Sequence, residues 1–400
     1  MAQYSTEDLE PEKIWNPLFI NVLLVNMTMN FGQFMMSSLI GPLASFLGAS
    51  PTLVGTIVSA FSITCLLVKP VSGTIIDTCS KKKILVAAIS VTMLAFVLYS
   101  LAQTPQMVFA ARLIHGLGMG FTTSTCLALA TEALPIRKLT QGIGYYSLAQ
   151  TIASAIGPTI GLSMVNRWGY SAAFRVGAVI MGIAVLLAAT MKTRQCEEAP
   201  RGKLRLTLDG MVAREALLPA AFLFFLALSS GTISSFLVIY ARNEQGVDQI
   251  GLYFTVNAIC LLVTRPLIGR LGDKYGIHRV LLPALVTYGA ALFVISWAST
   301  LPAFLLAAVI NSFGYGAAQP IIQALCMKSV PKERRGVAST TSYIGTDVGY
   351  LIGSPIAGAL ATAFGYSAMF RFMVVPVGMA VILLLASYGK IRSISESSAG

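Results

Sequence analysis

Few residues in this chain could do chemistry, and those few stand in apolar surroundings. Arg112 and His115 interrupt one long apolar run, and Asp347 interrupts another. An ionisable side chain inside such a run is costly and marks a candidate site. Arg112 and His115 are three apart and share a helix face. An arginine keeps its charge and presents a planar fork of donors, which suits a carboxylate. Asp347 lies twelve residues past Arg335, about 18 Å along a helix. That is near the middle of a hydrocarbon core about 30 Å thick. His115 lies ten residues past Pro105, about 15 Å from the opposite face, with Arg112 about 4–5 Å nearer that face. A carboxylate at this depth changes protonation with its surroundings, which is what coupling to protons requires. His115 is the second candidate for that role.

Uncharged polar residues form stripes. Asn26, Asn30, Gln33 and Ser37 step by four, three and four, so they line one helix face. Asn311, Tyr315, Gln319 and Gln323 step by four, and Gln150 and Asn257 could join them. Such groups could bind a polar solute, or could make interhelical hydrogen bonds worth about 0.6 kcal/mol each. Met27, Met29, Met35 and Met36, with Phe222, Phe224, Phe225 and Phe236, offer an adaptable apolar lining. Enzyme chemistry has no foothold. There are two histidines, His115 and His278, and no metal-ligand cluster or cofactor motif. The glycine run "GLGMGF" lies inside an apolar segment and follows no strand, so a nucleotide-loop reading lacks its context.

Of all residues, 56% are hydrophobic and 11% charged, against roughly 45–50% and about 25% in soluble domains. A bilayer-crossing helix needs about 20 mostly apolar residues. Twelve runs qualify: 17–46, 52–76, 83–103, 105–131, 140–165 and 172–191, then 217–241, 249–271, 279–298, 302–327, 337–364 and 367–389. The expected fold class is all-α and integral to the membrane, with no strands.

The runs fall into two sets of six because the sequence repeats. "GYSAAFR" at Gly169 to Arg175 returns as "GYSAMFR" at Gly365 to Arg371, 196 residues on. At that offset Lys69, Pro70, Gly73 and Asp77 match Arg265, Pro266, Gly269 and Asp273. Gly118, Gly120, Pro135 and Gly157 likewise match Gly314, Gly316, Pro331 and Gly353. A duplicated unit keeps one register in this way. The expected organisation is a tail at 1–16, a six-helix bundle at 17–191, a linker at 192–216, a second bundle at 217–389 and a tail at 390–400. The two bundles should be parallel repeats related by an axis along the membrane normal.

Basic residues gather in alternate loops: Lys81 to Lys83, Arg137 with Lys138, Lys192 to Arg214, Lys274 to Arg279, Lys328 to Arg335, and Lys390 with Arg392. By the positive-inside rule these loops and both termini are cytoplasmic. The net charge of +12 is then topological, and no nucleic-acid partner is expected. Glu7, Asp8, Glu10 and Glu12 are the opposite of a signal peptide's basic start, so the first run reads as an uncleaved anchor. The six cysteines form no CxxC pair and should be reduced.

Twelve spans in two halves, with "KPVSGTIIDTCSKKK" after the second span and "RPLIGRLGDKYGIHR" after the eighth, resemble the major facilitator superfamily over essentially the whole chain. Thr78, Cys79 and Ser80 depart from the basic residue and glycine usual there. Gly73 and Asp77 are four apart on one face, and glycine admits a close neighbour. The resemblance implies that this neighbour is the eleventh span and that Gly73, Asp77, Lys81, Lys82, Gly269, Asp273 and Arg279 form a conformational latch. "RLIHGLGMG" resembles the fourth-span motif of proton-coupled members, whose arginine faces the central cavity, and the first and tenth spans line that cavity in the family. The fifth span places Gly144, Gly157, Pro158 and Gly161 much as an antiporter signature does, with Ala153 and Leu162 where glycines are expected.

The chain therefore reads as a proton-coupled secondary transporter of a bacterial-type inner membrane, working by alternating access. It resembles most the twelve-span drug and metabolite exporters, including sugar-efflux and opine-metallophore exporters. The expected partners are protons, the lipid bilayer and a small amphipathic or zwitterionic compound, held by Arg112, His115 and the polar stripes. No cofactor is expected, and the protein should be monomeric. A proton symporter importing an organic anion is the alternative, and a transport-dead sensor or scaffold a second.

Overall fold

The computed structural model describes residues 13–37, 39–49, 51–191 and 212–396. The 1–16 tail, the 192–216 linker and the 390–400 tail lie partly outside these residues, as does Cys196. The described residues are helical with short connections, and no strand occurs among them. The helices are α1 (Pro17–Ser37), α2 (Ile40–Phe46), α3 (Pro51–Thr78), α4 (Lys81–Leu101), α5 (Pro105–Glu132), α6 (Leu139–Thr190), α7 (Leu217–Ile239), α8 (Gly251–Tyr275), α9 (Ile277–Trp297), α10 (Leu301–Phe313), α11 (Tyr315–Lys328), α12 (Arg335–Phe372), α13 (Val374–Ala386) and α14 (Tyr388–Glu396).

Ten stretches of the described residues are long and apolar enough to cross a membrane. Two of them, Ile136–Thr190 and Lys332–Ala386, run to 55 residues and each holds two spans. The break comes at Gly169 (φ 79°) and Gly365 (φ 80°), conformations open to glycine and costly for other residues. Counting each long stretch as two gives twelve membrane helices in two sets of six.

The recurring heptapeptide is the corner of each repeat. After the glycine turns the chain, Ser171 Oγ donates to Ser100 O at 2.7 Å, and Ser367 Oγ donates to Ser296 O at 2.6 Å. Both donors and both acceptors are separated by the same 196 residues. Ala173 and Met369, the one difference, are both buried, as are Phe174 and Phe370. Phe174 packs on Tyr99 at 5.1 Å between ring centroids and Phe370 on Tyr240 at 5.5 Å.

By internal contacts the described residues form two units. The first comprises those within Met1–Pro135, Ala149–Val212 and Lys332–Thr340; the second those within Ile136–Leu148, Ala213–Pro331 and Thr341–Gly400. The first turns of α12 thus belong with the first unit, and the first turns of α6 with the second.

In the first unit α5 is the best-buried helix and carries the candidate site. Thr104 caps it, accepting from Met107 N at 3.4 Å. Its glycines let two neighbours approach. A Cβ on Gly116 would meet Phe61 O of α3 at 2.7 Å, and one on Gly118 would overlap Thr92 of α4. The "GLGMG" run is therefore a packing device, and its close approach to α3 brings Phe61 alongside Arg112.

Candidate functional site

Arg112 and His115 project from α5 into the buried interior of the first unit, 3% and 0% exposed. His115 Nε2 lies 2.6 Å from Gln33 Oε1 of α1. Its Nδ1 lies 3.4 Å from Arg112 Nη1 and 3.3 Å from the Tyr99 hydroxyl. A guanidinium can only donate, so Nδ1 accepts and Nε2–H donates to Gln33; the ring is the neutral Nε2–H tautomer. Three aromatic rings enclose it. Phe61 and Phe96 stand edge-on at 5.0 Å, and Tyr99 at 5.9 Å. Arg112 Cζ sits 4.5 Å over the Phe61 ring, a cation–π contact worth about 0.5–2 kcal/mol.

The polar stripe of α1 continues this cluster. Asn30 Nδ2 donates to Asn26 O at 2.8 Å and to Asn26 Oδ1 at 2.7 Å, both residues being buried. Arg112, His115, Gln33, Asn30 and Asn26 are therefore gathered in one unit, as their spacing on two helices allows. Gln150, by contrast, is exposed. The guanidinium is left short of partners. Arg112 forms no ion pair among the described residues, and its buried Nε has no acceptor.

In the second unit the Tyr315 hydroxyl lies 3.0 Å from that of Tyr350, which lies 3.0 Å from Ser230 Oγ. Asp347, half-buried on α12, is near enough to Tyr350 to act on it electrostatically. Gln319 Oε1 accepts from Arg265 Nη2 at 3.4 Å, and Arg265 Nη1 donates to Ser147 O. Asn257 Nδ2 donates to Ala308 O at 3.0 Å. Asn311 is buried, and its Oδ1 has no hydrogen-bond partner among the described residues.

The loop-motif aspartates cap helix starts. Asp77 Oδ1 accepts from Gly336 N at 2.7 Å and Oδ2 from Val337 N at 2.9 Å, at the first turn of α12. Asp273 Oδ1 accepts from Thr140 N at 3.2 Å and Oδ2 from Gln141 N at 2.9 Å, at the first turn of α6. A carboxylate there meets otherwise orphaned amides and the positive end of the helix dipole. Glycines make the approach possible: a Cβ on Gly73 would lie 3.1 Å from Val337 Cα, and one on Gly269 2.7 Å from Gln141 Cα. The surrounding charges differ. Lys81 Nζ pairs with Glu132 at 2.7 Å, while Lys328 Nζ lies 3.6 Å from Asp273 itself. Lys82 makes no hydrogen bond or ion pair among the described residues, and Arg279 is exposed beside an apolar groove.

Along α6, Gly144 backs onto Arg265, where a Cβ would stand 2.9 Å from the carbonyl oxygen. Gly157 and Gly161 back onto α1, with their Cβ positions 2.9 Å from Met35 N and 2.5 Å from Met35 O. Pro158 lies between them inside the helix. These positions serve close helix packing.

Spacing alone does not single out several members of these two clusters. Tyr99 and Phe61 look like ordinary apolar-run aromatics, and nothing in their spacing points to His115. Tyr350 and Ser230 carry no signal beyond polarity. Arg265 has one: a cation ten residues before the end of α8, about 15 Å in, that is buried in the structure.

Comparison with known proteins decides the family. The Major Facilitator Superfamily model matches residues 22–248 and 217–398. The chain belongs to the major facilitator superfamily. It is similar to a multi-drug resistance efflux pump PmrA homolog of Lactococcus lactis, 26% identical, covering 76% of this chain and 78% of the relative. It is also similar to multidrug resistance protein 1 of Bacillus subtilis, 24% identical over 92% and 95% of the two chains. Among solved structures, the human organic anion transporter MFSD10 (TETRAN) superposes with a TM-score of 0.79 at 16% identity, over 92% of this chain and 98% of that one. The chain is thus a multi-pass plasma-membrane transporter of small molecules and no enzyme, and it has relatives named as multidrug efflux pumps.

Proposed function

We infer that this superfamily member is a proton-coupled exporter, exchanging cytoplasmic substrate for external protons by alternating access. The substrate class that fits is a small amphipathic or zwitterionic compound with a carboxylate. The observation carrying this reading is the buried Arg112, which stacks on Phe61, touches a neutral histidine and lacks an ion-paired carboxylate among the described residues. An arginine within a membrane helix costs about 3 kcal/mol, and a substrate carboxylate on its free Nε edge would offset that cost. Asn26, Asn30 and Gln33 would hold the polar remainder. Gln150, Asn257, Asn311, Tyr315 and Gln319 serve the same substrate at another stage of the cycle.

Asp347 is the proton carrier in this mechanism, with His115 as the fallback. At the equivalent position of the first repeat stands Thr151, so the duplication did not impose an acid here. The Asp77 and Asp273 caps act as latches, released and remade in each cycle. The protein works as a monomer in the inner membrane with bundles at 17–191 and 217–389, both termini cytoplasmic, and no nucleic-acid partner.

The test uses purified protein in proteoliposomes with an imposed pH gradient and a panel of carboxylated amphiphiles and zwitterions. Wild type should concentrate a panel member against the proton flow. Asp347→Asn should lose that net transport yet keep substrate exchange. An Asp347→Asn variant that concentrates substrate as wild type does would move the coupling to His115. Substrate running with the protons would make the protein a symporter.

A further inference from the structure

The second unit has an open groove of about 370 Å³ between α8, α9 and the end of α10, which the transport reading does not use. Its walls are almost wholly apolar, among them Leu271, Pro283, Ala284 and Phe313. The one polar side chain deep in it, Thr287, donates its hydroxyl proton to Pro283 O at 2.7 Å, so its side chain offers the floor no free donor. The mouth is different. Tyr275, 48% exposed, ends α8, and Arg279 stands exposed in the first turn of α9. Lys274 lies beside them, its Nζ 5.2 Å from the Tyr275 ring.

Arg279 belongs by sequence to the loop motif, yet it takes no part in the Asp273 cap. Asp273 is satisfied by Thr140 N, Gln141 N and Lys328. Arg279 forms no ion pair among the described residues. The same turn is buttressed by α14: Ser395 Oγ accepts from Ile277 N at 2.9 Å, and the Tyr388 ring meets His278 at 5.3 Å. That short helix adds Lys390 and Arg392, both exposed, to the positive charge around the turn.

Length settles what fits. Thr287 is eight residues beyond Arg279, about 12 Å along α9. Half of a hydrocarbon core is about 15 Å. The groove thus starts at a basic, aromatic rim of the kind found at a membrane interface and runs apolar through most of one leaflet's depth. We propose that it is a binding site for one anionic phospholipid, with an acyl chain along Leu271, Pro283 and Thr287 and the headgroup phosphate on Arg279. A basic rim discriminates against zwitterionic lipids, whose own cation competes, and one interfacial arginine contributes about 1 kcal/mol, a preference of about fivefold. A second copy of the chain is the rival occupant.

Native mass spectrometry of the full chain, released from nanodiscs of equimolar phosphatidylglycerol and phosphatidylcholine, reads lipid and copy number together. Wild type should emerge as a single chain keeping one phosphatidylglycerol about fivefold over phosphatidylcholine. Arg279→Gln, at an exposed position, should keep a lipid but lose the preference. Thr287→Trp, which fills the deep end, should shed both lipids, and Ile268→Trp is the alternative filler should the first not express. Equal retention of the two lipids by wild type, a preference surviving in Arg279→Gln, lipid retained by the filled variants, or a bound second copy would each overturn the proposal. None of these outcomes depends on the transported substrate, so the site and the transport reading stand or fall separately.

Discussion

Asp77 offers a perturbation whose size can be worked out from its two bonds. Its carboxylate accepts from Gly336 N and Val337 N at 2.7 and 2.9 Å, and both of those residues are buried. Hydrogen bonds to a charged group are worth about 1.5–3 kcal/mol each, so the gross loss in Asp77→Ala is about 3–6 kcal/mol. Asp77 is half-buried, and water entering the vacated space would restore part of this, leaving about 2–3 kcal/mol. Local opening of the first turn of α12 should then become about 30- to 150-fold more frequent. Hydrogen exchange on a peptide covering 335–341 reads that opening directly. Gly336→Ala is the companion variant, since a Cβ there would overlap Asp77 Oδ1; it keeps the charge, spoils the geometry, and should speed the same amides. Unchanged exchange of this peptide in a folded Asp77→Ala protein would refute the capping argument, and a fast Asp77→Ala beside a slow Gly336→Ala would show that charge alone matters.

Three other outcomes follow from the packing and polar contacts. Arg112→Lys keeps the charge but loses the planar fork and the stacking on Phe61, so substrate affinity should fall at least tenfold in equilibrium binding; wild-type affinity would remove Arg112 from the site. In a His278→Gln background, ¹⁵N spectra of labelled histidine should show one neutral ring with its proton on Nε2, as the Arg112 and Gln33 contacts require; a doubly protonated ring at neutral pH would contradict them. Gly269→Ala should destabilise more than Gly73→Ala, by about 1–3 kcal/mol, because its new Cβ meets the Gln141 backbone at 2.7 Å, whereas Gly73 has 3.1 Å to Val337 Cα; a Tm series in detergent with the reverse order would reject this.

The fold was legible because the bilayer imposes long apolar runs and because a duplication writes its frame twice. Gly169 and Gly365 pair by the 196-residue repeat alone, and their φ angles of 79° and 80° match. The partners of Arg112 were less legible. Residue spacing reveals which side chains share a helix face, as with Asn26, Asn30 and Gln33, but not which helix that face meets. Tyr99 reaches His115 from α4, which Gly118 brings within backbone contact of α5, and Gln33 reaches it from a different helix, α1. Arg279 shows the converse. Motif membership placed it with Asp273, yet Lys328 from α11 fills that position, and side-chain direction turned Arg279 outward.

The two repeats agree where the frame is fixed and differ where charge is used. The corner glycines, the serines at 171 and 367 and the capping aspartates occupy equivalent positions and make equivalent bonds. Backbone geometry permits little else at a positive φ or at an orphaned helix start. Arg112, His115, Glu132 and Thr151, however, stand opposite Ala308, Asn311, Lys328 and Asp347. The exchange of Glu132 for Lys328 makes the caps electrically unequal. Asp273 has its counter-charge at 3.6 Å within the cap. Asp77 instead shares the field of Lys81 with Glu132, the acid that Lys81 directly pairs. Of the two helix starts, the one at α12 is therefore held by an under-compensated carboxylate. It is also the helix that carries Asp347, so the less neutralised cap and the proposed proton carrier are ten to eleven residues apart in the sequence of one helix.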